Sequence, residues 1–296
     1  MAAEAGAIRA TSPAAALRGI IYMALSCGFL AGSDAITKWL TTGYPVGQLI
    51  CIRSTFIFLP IAAMVWRDGG WRSVRVTSLR DQALRGGLFI CTTVTIVMSF
   101  KLLPLADAVA LMFAGPLFAT ALARPMLGER VGWRRWAAVA VGFTGVVVIV
   151  QPTGHGLALA ALMPIVAALF SAVRDIVTRR ITATESSNAI MICSTGCVVL
   201  ACLFTIPFGW KMPTPGDLSL LVVAGIMVGF AHYLMIASYR AAEIAIVSPF
   251  KYAGLLWATA IGYAVWGYFP DEWTLIGSAI VIGSGLYILR RETARR

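Results

Sequence analysis

Residues 139–150 read Val-Ala-Val-Gly-Phe-Thr-Gly-Val-Val-Val-Ile-Val, a run with no polar face. A lipid-facing barrel strand alternates apolar with polar residues; this run does not, so it predicts a helix that is apolar all round. Working outward and breaking the chain at its Arg, Pro and polar clusters gives ten such stretches. They lie near 17–39, 47–66, 84–103, 106–127, 134–151, 157–178, 189–208, 218–239, 244–267 and 273–290. Crossing a hydrocarbon core about 30 Å thick takes roughly 20 apolar residues, and each stretch approaches that length. The 296 residues are 59% hydrophobic and 12% charged, with mean hydropathy +0.83. The 24 basic and 13 acidic side chains are too few to cover a soluble body of 31.6 kDa. The expected fold class is therefore an all-α polytopic membrane protein with ten transmembrane helices. The first span is long and ends in Asp34 and Lys38, so it reads as structure rather than as a cleaved signal peptide.

The basic residues decide orientation. Arg9 and Arg18, the 67–85 arginines (67, 72, 75, 80, 85), Arg124, Arg130, Arg134, Arg135, Arg179, Arg180, Arg240 and the arginines at 290, 291, 295 and 296 put 18 on one side. Lys38, Lys101 and Lys211 put 3 on the other, so the positive-inside rule predicts both termini in the cytoplasm. The net charge of +11 is then topology, and no nucleic-acid partner is expected, because the arginines are dispersed over six loops and termini. All six cysteines fall within spans, and Cys193 with Cys197 lacks the His or further Cys of a metal site. Neither metal nor cofactor is expected.

The chain repeats itself. Ser99-Phe100-Lys101 recurs as Ser238-Tyr239-Arg240, 139 residues later. At that same offset Phe113-Ala114-Gly115 meets Tyr252-Ala253-Gly254, and Ala119-Thr120-Ala121 meets Ala258-Thr259-Ala260. The first and sixth spans agree at 141: Phe29, Ala31, Asp34, Thr37 and Lys38 against Phe170, Ala172, Asp175, Thr178 and Arg179. The fifth and tenth agree at 140, through Trp133 with Trp273 and Gly145 with Gly285. This predicts a cytoplasmic segment 1–16, a first five-helix repeat 17–151, a second repeat 157–290 and a cytoplasmic tail 291–296. Five spans per repeat make the second enter the membrane opposite to the first, an inverted-topology arrangement that suits alternating access around a shared central site.

These residues carry a resemblance. Pro116 followed by Leu127-Gly128-Glu129, and Pro249-Phe250-Lys251-Tyr252 with Trp257-Ala258, resemble the ten-helix EamA-type exporters of the drug/metabolite transporter superfamily. Two positions depart from that pattern: Lys251 stands where the family often has Glu, and Tyr268 follows Gly267 where the first half has Glu129. The resemblance implies a small-molecule substrate, a lipid-bilayer setting in a bacterial-type inner membrane, and export of small metabolites. Rings, hydroxyls and one Lys point to amino acids, aromatic ones included; drugs, nucleobases or other small metabolites are the alternative. A membrane enzyme or a channel is the reading from another class, but no His, Cys or carboxylate cluster of catalytic spacing is present, and no nucleotide-binding loop either. A monomer or homodimer is expected.

Intramembrane charge is costly, so its bearers are candidates. Asp34 and Arg53 lie equally far from the middle of the 41–45 turn and so at one depth, as a static ion pair or as a gate. Arg174 and Asp175 are the second-half counterpart, read as an inner gate or as snorkelling and packing groups; about 100° apart on a helix, they are not expected simply to neutralise each other. Lys251, about two turns inside the ninth span, suits a substrate carboxylate or a snorkelling role. Tyr22, Ser26, Thr95, Ser99, Phe113, Ser171, His232, Tyr252 and Trp257 complete the candidate binding set, with interhelical packing as the competing reading for the hydroxyls and for His232. Gly115, Pro116, Pro249 and Gly254 mark hinges in the fourth and ninth spans, which are repeat mates.

Overall fold

The computed structural model describes residues 13–127, 132–150, 157–181, 185–242 and 247–293. Gly128, Glu129, most of the segment 1–16, the joint at 151–156 and the end of the tail lie outside the described residues. Among the described residues eleven α-helices follow one another: α1 Pro13–Leu40, α2 Val46–Arg67, α3 Leu79–Leu102, α4 Leu105–Met112, α5 Gly115–Leu127, α6 Trp133–Val150, α7 Leu157–Ile181, α8 Ser187–Leu203, α9 Pro215–Ala241, α10 Ala253–Trp266 and α11 Glu272–Thr293. Short 3-10 turns occupy Gly70–Ser73 and Ser248–Tyr252. The described chain is all-helical. Six stretches, Pro13–Leu40, Val46–Arg67, Leu79–Leu102, Leu105–Leu122, Ala160–Thr178 and Pro215–Ser238, are long and apolar enough to cross a membrane, and shorter apolar helices accompany them. This is a polytopic membrane protein.

The fourth and ninth spans, where hinges are expected, are each interrupted among the described residues. Between α4 and α5 the chain tightens, Phe113 and Ala114 donating to the carbonyls of Ala110 and Leu111. Pro116 explains this break: it has no N–H to offer and its ring crowds the carbonyl four residues back. In the ninth span the 3-10 turn Ser248–Tyr252, with Pro249 in its first turn, gives way to α10 at Ala253. The two interruptions fall at Phe113 and Tyr252, 139 residues apart.

Packing follows the small residues. Gly225 and Gly229 of α9 lie directly against Arg53–Phe56 and Pro60 of α2, leaving no room for a side chain. Gly145 and Gly277 bring α6 and α11 so close that a Cβ on Gly145 would sit 2.8 Å from the Gly277 carbonyl. The main core joins Ile50, Val97, Phe100, Leu105, Leu111, Leu117 and Val198, while Trp66, Phe204, Leu256 and Tyr263 point outward, as suits lipid contact. Two faces result, one bearing the α1–α2 turn at Tyr44 and one bearing the α7–α8 connection at Glu185.

Candidate substrate site

Each break in the helices brings a ring to the same point. The rings of Phe113 and Tyr252 stand 5.0 Å apart, tilted by 53°. Around them the neighbours also come in pairs: Gly254 faces Phe113 and Cys27 of α1, while Gly115 faces the Ala168 carbonyl of α7. Gly115 and Gly254 are 139 residues apart and Cys27 and Ala168 are 141 apart, the offsets of the repeat. Cys27 Sγ approaches the Lys251 carbonyl at 3.4 Å, so α1 reaches a backbone group of the 3-10 turn. Trp257 Nε1 donates to the Ala24 carbonyl at 3.0 Å, its ring lying over Gly28. The Tyr252 hydroxyl is buried against Gly285 and has no hydrogen-bond partner among the described residues. A buried hydroxyl without a partner is uncommon, and here it sits beside the only pair of repeat-mate rings seen in contact among the described residues.

The remaining expected binding residues divide. Ser26 Oγ donates to the Ala231 carbonyl at 2.7 Å and ties α1 to α9. Ser99 Oγ bonds the Ile96 carbonyl at 2.7 Å and His232 Nδ1 lies 2.8 Å from the Val228 carbonyl, each within its own helix, which is the packing reading. Ser171 accepts from Arg174 Nη2 at 2.9 Å. Thr95 is half-buried on α3. Tyr22 lines a separate cavity of about 300 Å³ with Arg18, Arg67, Asn188 and Tyr233. Lys251 is exposed in the 3-10 turn, before α10 begins rather than two turns inside a helix. Pro249 lies in that same turn.

Asp34 and Arg53 face each other, Arg53 Nη1 at 3.5 Å from Asp34 Oδ1 and at 3.0 Å from Thr37 Oγ1. Arg174 and Asp175 depart from expectation: Nη2 is 3.0 Å from Asp175 Oδ1, so the neighbours do pair. The arginine side chain is long enough to bridge the 100° between them, and its guanidinium also stacks 5.5 Å from Phe89.

Three residues of consequence carry little signal in the sequence. Arg85 is grouped with loop charges there, but α3 begins at Leu79, so Arg85 lies inside the helix. Its Nε donates to Thr178 Oγ1 at 2.8 Å and its Nη1 to Ser194 Oγ and to the Ile190 carbonyl at 3.4 Å. Asp107 of α4 is buried and accepts from the Tyr268 hydroxyl at 2.7 Å. Burial and that carboxylate raise the Tyr268 phenol, which keeps it a donor, so the departure at Tyr268 has a partner inside the fold. Lys38 is not a plain outer charge: Nζ donates to the carbonyls of Phe100 and Leu103, each at 2.6 Å, capping the end of α3.

Residues 17–151 match the model of the EamA-like transporter family. A riboflavin transporter of Rhizobium johnstonii is 30% identical over 295 residues, covering 97% of this chain and 95% of that one. The chain belongs to the EamA-type transporters of the drug/metabolite superfamily. An S-adenosylmethionine uptake transporter of Rickettsia prowazekii is 26% identical over 93% of this chain and 94% of its own. A pseudopaline exporter of Pseudomonas aeruginosa is 22% identical over 93% of this chain and 96% of its own. A solved crystal structure at 21% identity shares the fold, with a TM-score of 0.66 over 96% of this chain and 99% of that one. The protein is thus a small-molecule transporter and not an enzyme.

Proposed function

We propose that the chain is a secondary transporter of the bacterial inner membrane, working by alternating access between two inverted five-helix repeats, with both termini in the cytoplasm. The observation that carries this reading is the meeting of Phe113 and Tyr252 at the breaks of the fourth and ninth spans. Discontinuous helices that meet between repeats are where such carriers bind their solute, and movement of the four hinge residues Gly115, Pro116, Pro249 and Gly254 would alternate its exposure. The positive-inside rule supports the orientation, which puts the Glu185 face in the cytoplasm.

The solute we favour is a planar heteroaromatic metabolite of the flavin kind. The ring pair, Trp257 and the unpartnered Tyr252 hydroxyl suit stacking plus one hydrogen bond, and the riboflavin relative covers nearly the whole chain. Export of amino acids, aromatic ones included, is the second reading: Lys251, exposed beside Tyr252, suits a carboxylate. Counterflow in proteoliposomes with labelled riboflavin, S-adenosylmethionine, phenylalanine and tryptophan separates them. Exchange of riboflavin above the amino acids is expected. Exchange of amino acids alone would replace the flavin reading with the second, and no exchange of any solute by folded protein would end both. Size measurement in detergent is expected to give a monomer or homodimer.

A further inference from the structure

Arg53 and Arg85 occupy matching environments with different counter-charges. On the Tyr44 side, Arg53 meets Asp34 and Thr37. The residues 141 positions on from Asp34, Thr37 and Arg53 are Asp175, Thr178 and Ser194. The place of the guanidinium is thus taken by a serine, and the vacancy is filled from the other half of the chain: Arg85 of α3 donates to Thr178 and to Ser194. Asp175, the mate of Asp34, is engaged by Arg174 at 3.0 Å instead. The acceptors of Arg85 are two hydroxyls and a carbonyl, and among the described residues no carboxylate comes within 4.0 Å of it. Arg174 stands within electrostatic reach and adds to the positive field, Asp175 acts from beyond contact distance and offsets part of it, and His232 lies in the reach of Arg53, Arg85 and Arg174 together.

A half-buried guanidinium in the membrane domain is costly without a counter-ion, and neutral hydrogen bonds recover only part of its lost hydration. Pairing would serve Arg53, whose carboxylate is already there. Arg85 has the donors and the charge for an oxyanion, but among the described residues no carboxylate is in contact with it, Asp175 being held by Arg174. We infer that Arg85, flanked by Arg174, is the docking point for an acidic group, carboxylate or phosphate, on the transported solute. The inference rests on the transport reading and refines its substrate class: among solutes with the same aromatic body, the one that also carries an oxyanion is bound better.

The test pairs each acid with its neutral analogue: flavin mononucleotide with riboflavin, and N-acetylphenylalanine with its amide. Melting of the detergent-purified protein and proteoliposome counterflow are both read. Wild-type protein is expected to prefer each acid. In Arg85→Gln, which keeps donors but not charge, the preference falls about tenfold or more. Arg85→Lys retains most of it, and Arg80→Gln, on the exposed first turn of α3, leaves it unchanged. The double variant Thr178→Val, Ser194→Ala releases the guanidinium and is expected to keep the acid preference, so the idea stays testable if Arg85→Gln does not fold. A wild-type protein indifferent to charge, an Arg85→Gln variant with full preference, or a folded double variant that loses it would each overturn the assignment. Acid-selective melting without transport of any solute would instead sink the transporter reading and leave the anion site standing. Flavin mononucleotide alone or N-acetylphenylalanine alone showing the effect would identify phosphate or carboxylate as the group bound.

Discussion

The two ends of the bundle are fastened by the same pair of connections with different chemistry. On one face the α1–α2 turn holds the α8–α9 connection: Tyr44 donates to Asp217 Oδ2 at 2.6 Å and accepts from the Thr214 amide, while Gln48 exchanges hydrogen bonds with the Lys211 backbone. On the other face the α7–α8 connection holds the α2–α3 loop: Glu185 Oε1 accepts from the amides of Thr77 and Ser78, each at 2.8 Å, and Oε2 from Gln82. Asn188 adds bonds to Asp68 and Ser73. Tyr44 and Glu185 are 141 residues apart, so mate positions do mate work, one through a half-exposed phenol and the other through a buried carboxylate. Charge-assisted bonds out of water are the stronger kind, so the Glu185 face is the harder of the two to unfasten. Under the alternating-access mechanism proposed above, ends this unequal would leave the two openings unequally populated at rest.

The largest expected effect tests the ion pairs beneath these latches. Asp34→Asn strands the guanidinium of Arg53, which is only 7% exposed, and is expected to cost about 3 kcal/mol. Asp175→Asn removes the partner of Arg174 but from a side chain already 64% exposed, and is expected to cost below about 1 kcal/mol. Melting of the two variants in detergent reads the contrast, and equal losses would mean that the repeat mates are electrostatically alike after all.

Next comes the Glu185 latch. Glu185→Ala leaves two backbone amides and the Gln82 amide without their acceptor, an expected loss of about 2 kcal/mol. Burial works against the Glu185 carboxylate, but the Ser78 and Thr77 amides and Gln82 outweigh it and hold its pKa below the usual value. A folded pKa lower than the unfolded one stabilises fully above the unfolded value and ceases to do so as pH falls through the folded value. Wild-type protein should therefore lose stability on acidification below the ordinary glutamate range, and Glu185→Gln should lose less over that interval. Parallel acid profiles for the two proteins would remove the carboxylate from the latch.

Tyr44→Phe is smaller, about 1 kcal/mol, because water reaches Asp217 and Thr214 when the phenol goes. The comparison fails if this variant melts below Glu185→Ala.

How much of this was legible in the chain depends on what sets each feature. The all-helical, membrane-spanning class is written in composition, which backbone physics in lipid obliges a sequence to display. The helix breaks beside Pro116 and Pro249 likewise announce themselves, because a missing N–H is a property of the residue. Arg85 was hidden by its place at the very edge of a span read as 84–103, where it counts with the loop arginines, while Ser78, accepting from the Asp81 amide, starts the helix at Leu79 and sets Arg85 well inside it. Asp107 and Tyr268 are 161 residues apart, and no periodicity links a short helix in one half to a loop in the other. Arg174 with Asp175 failed for a geometric reason, since helix angles describe Cβ directions and not where a long guanidinium arm arrives.

The smallest effect has the opposite sign and concerns the centre rather than the ends. The Tyr252 hydroxyl is buried beside Gly285 without a partner among the described residues, so it pays for dehydration and receives nothing from the protein. Tyr252→Phe keeps the ring against Phe113 and removes that burden, and is expected to leave melting unchanged or raise stability by up to about 1 kcal/mol. If the hydroxyl is held for the solute, the same variant loses counterflow activity while gaining stability, a combination that structural damage does not produce. A variant that melts lower and transports normally would show that the hydroxyl belongs to the fold, and would move the binding site away from the point where the two broken spans meet.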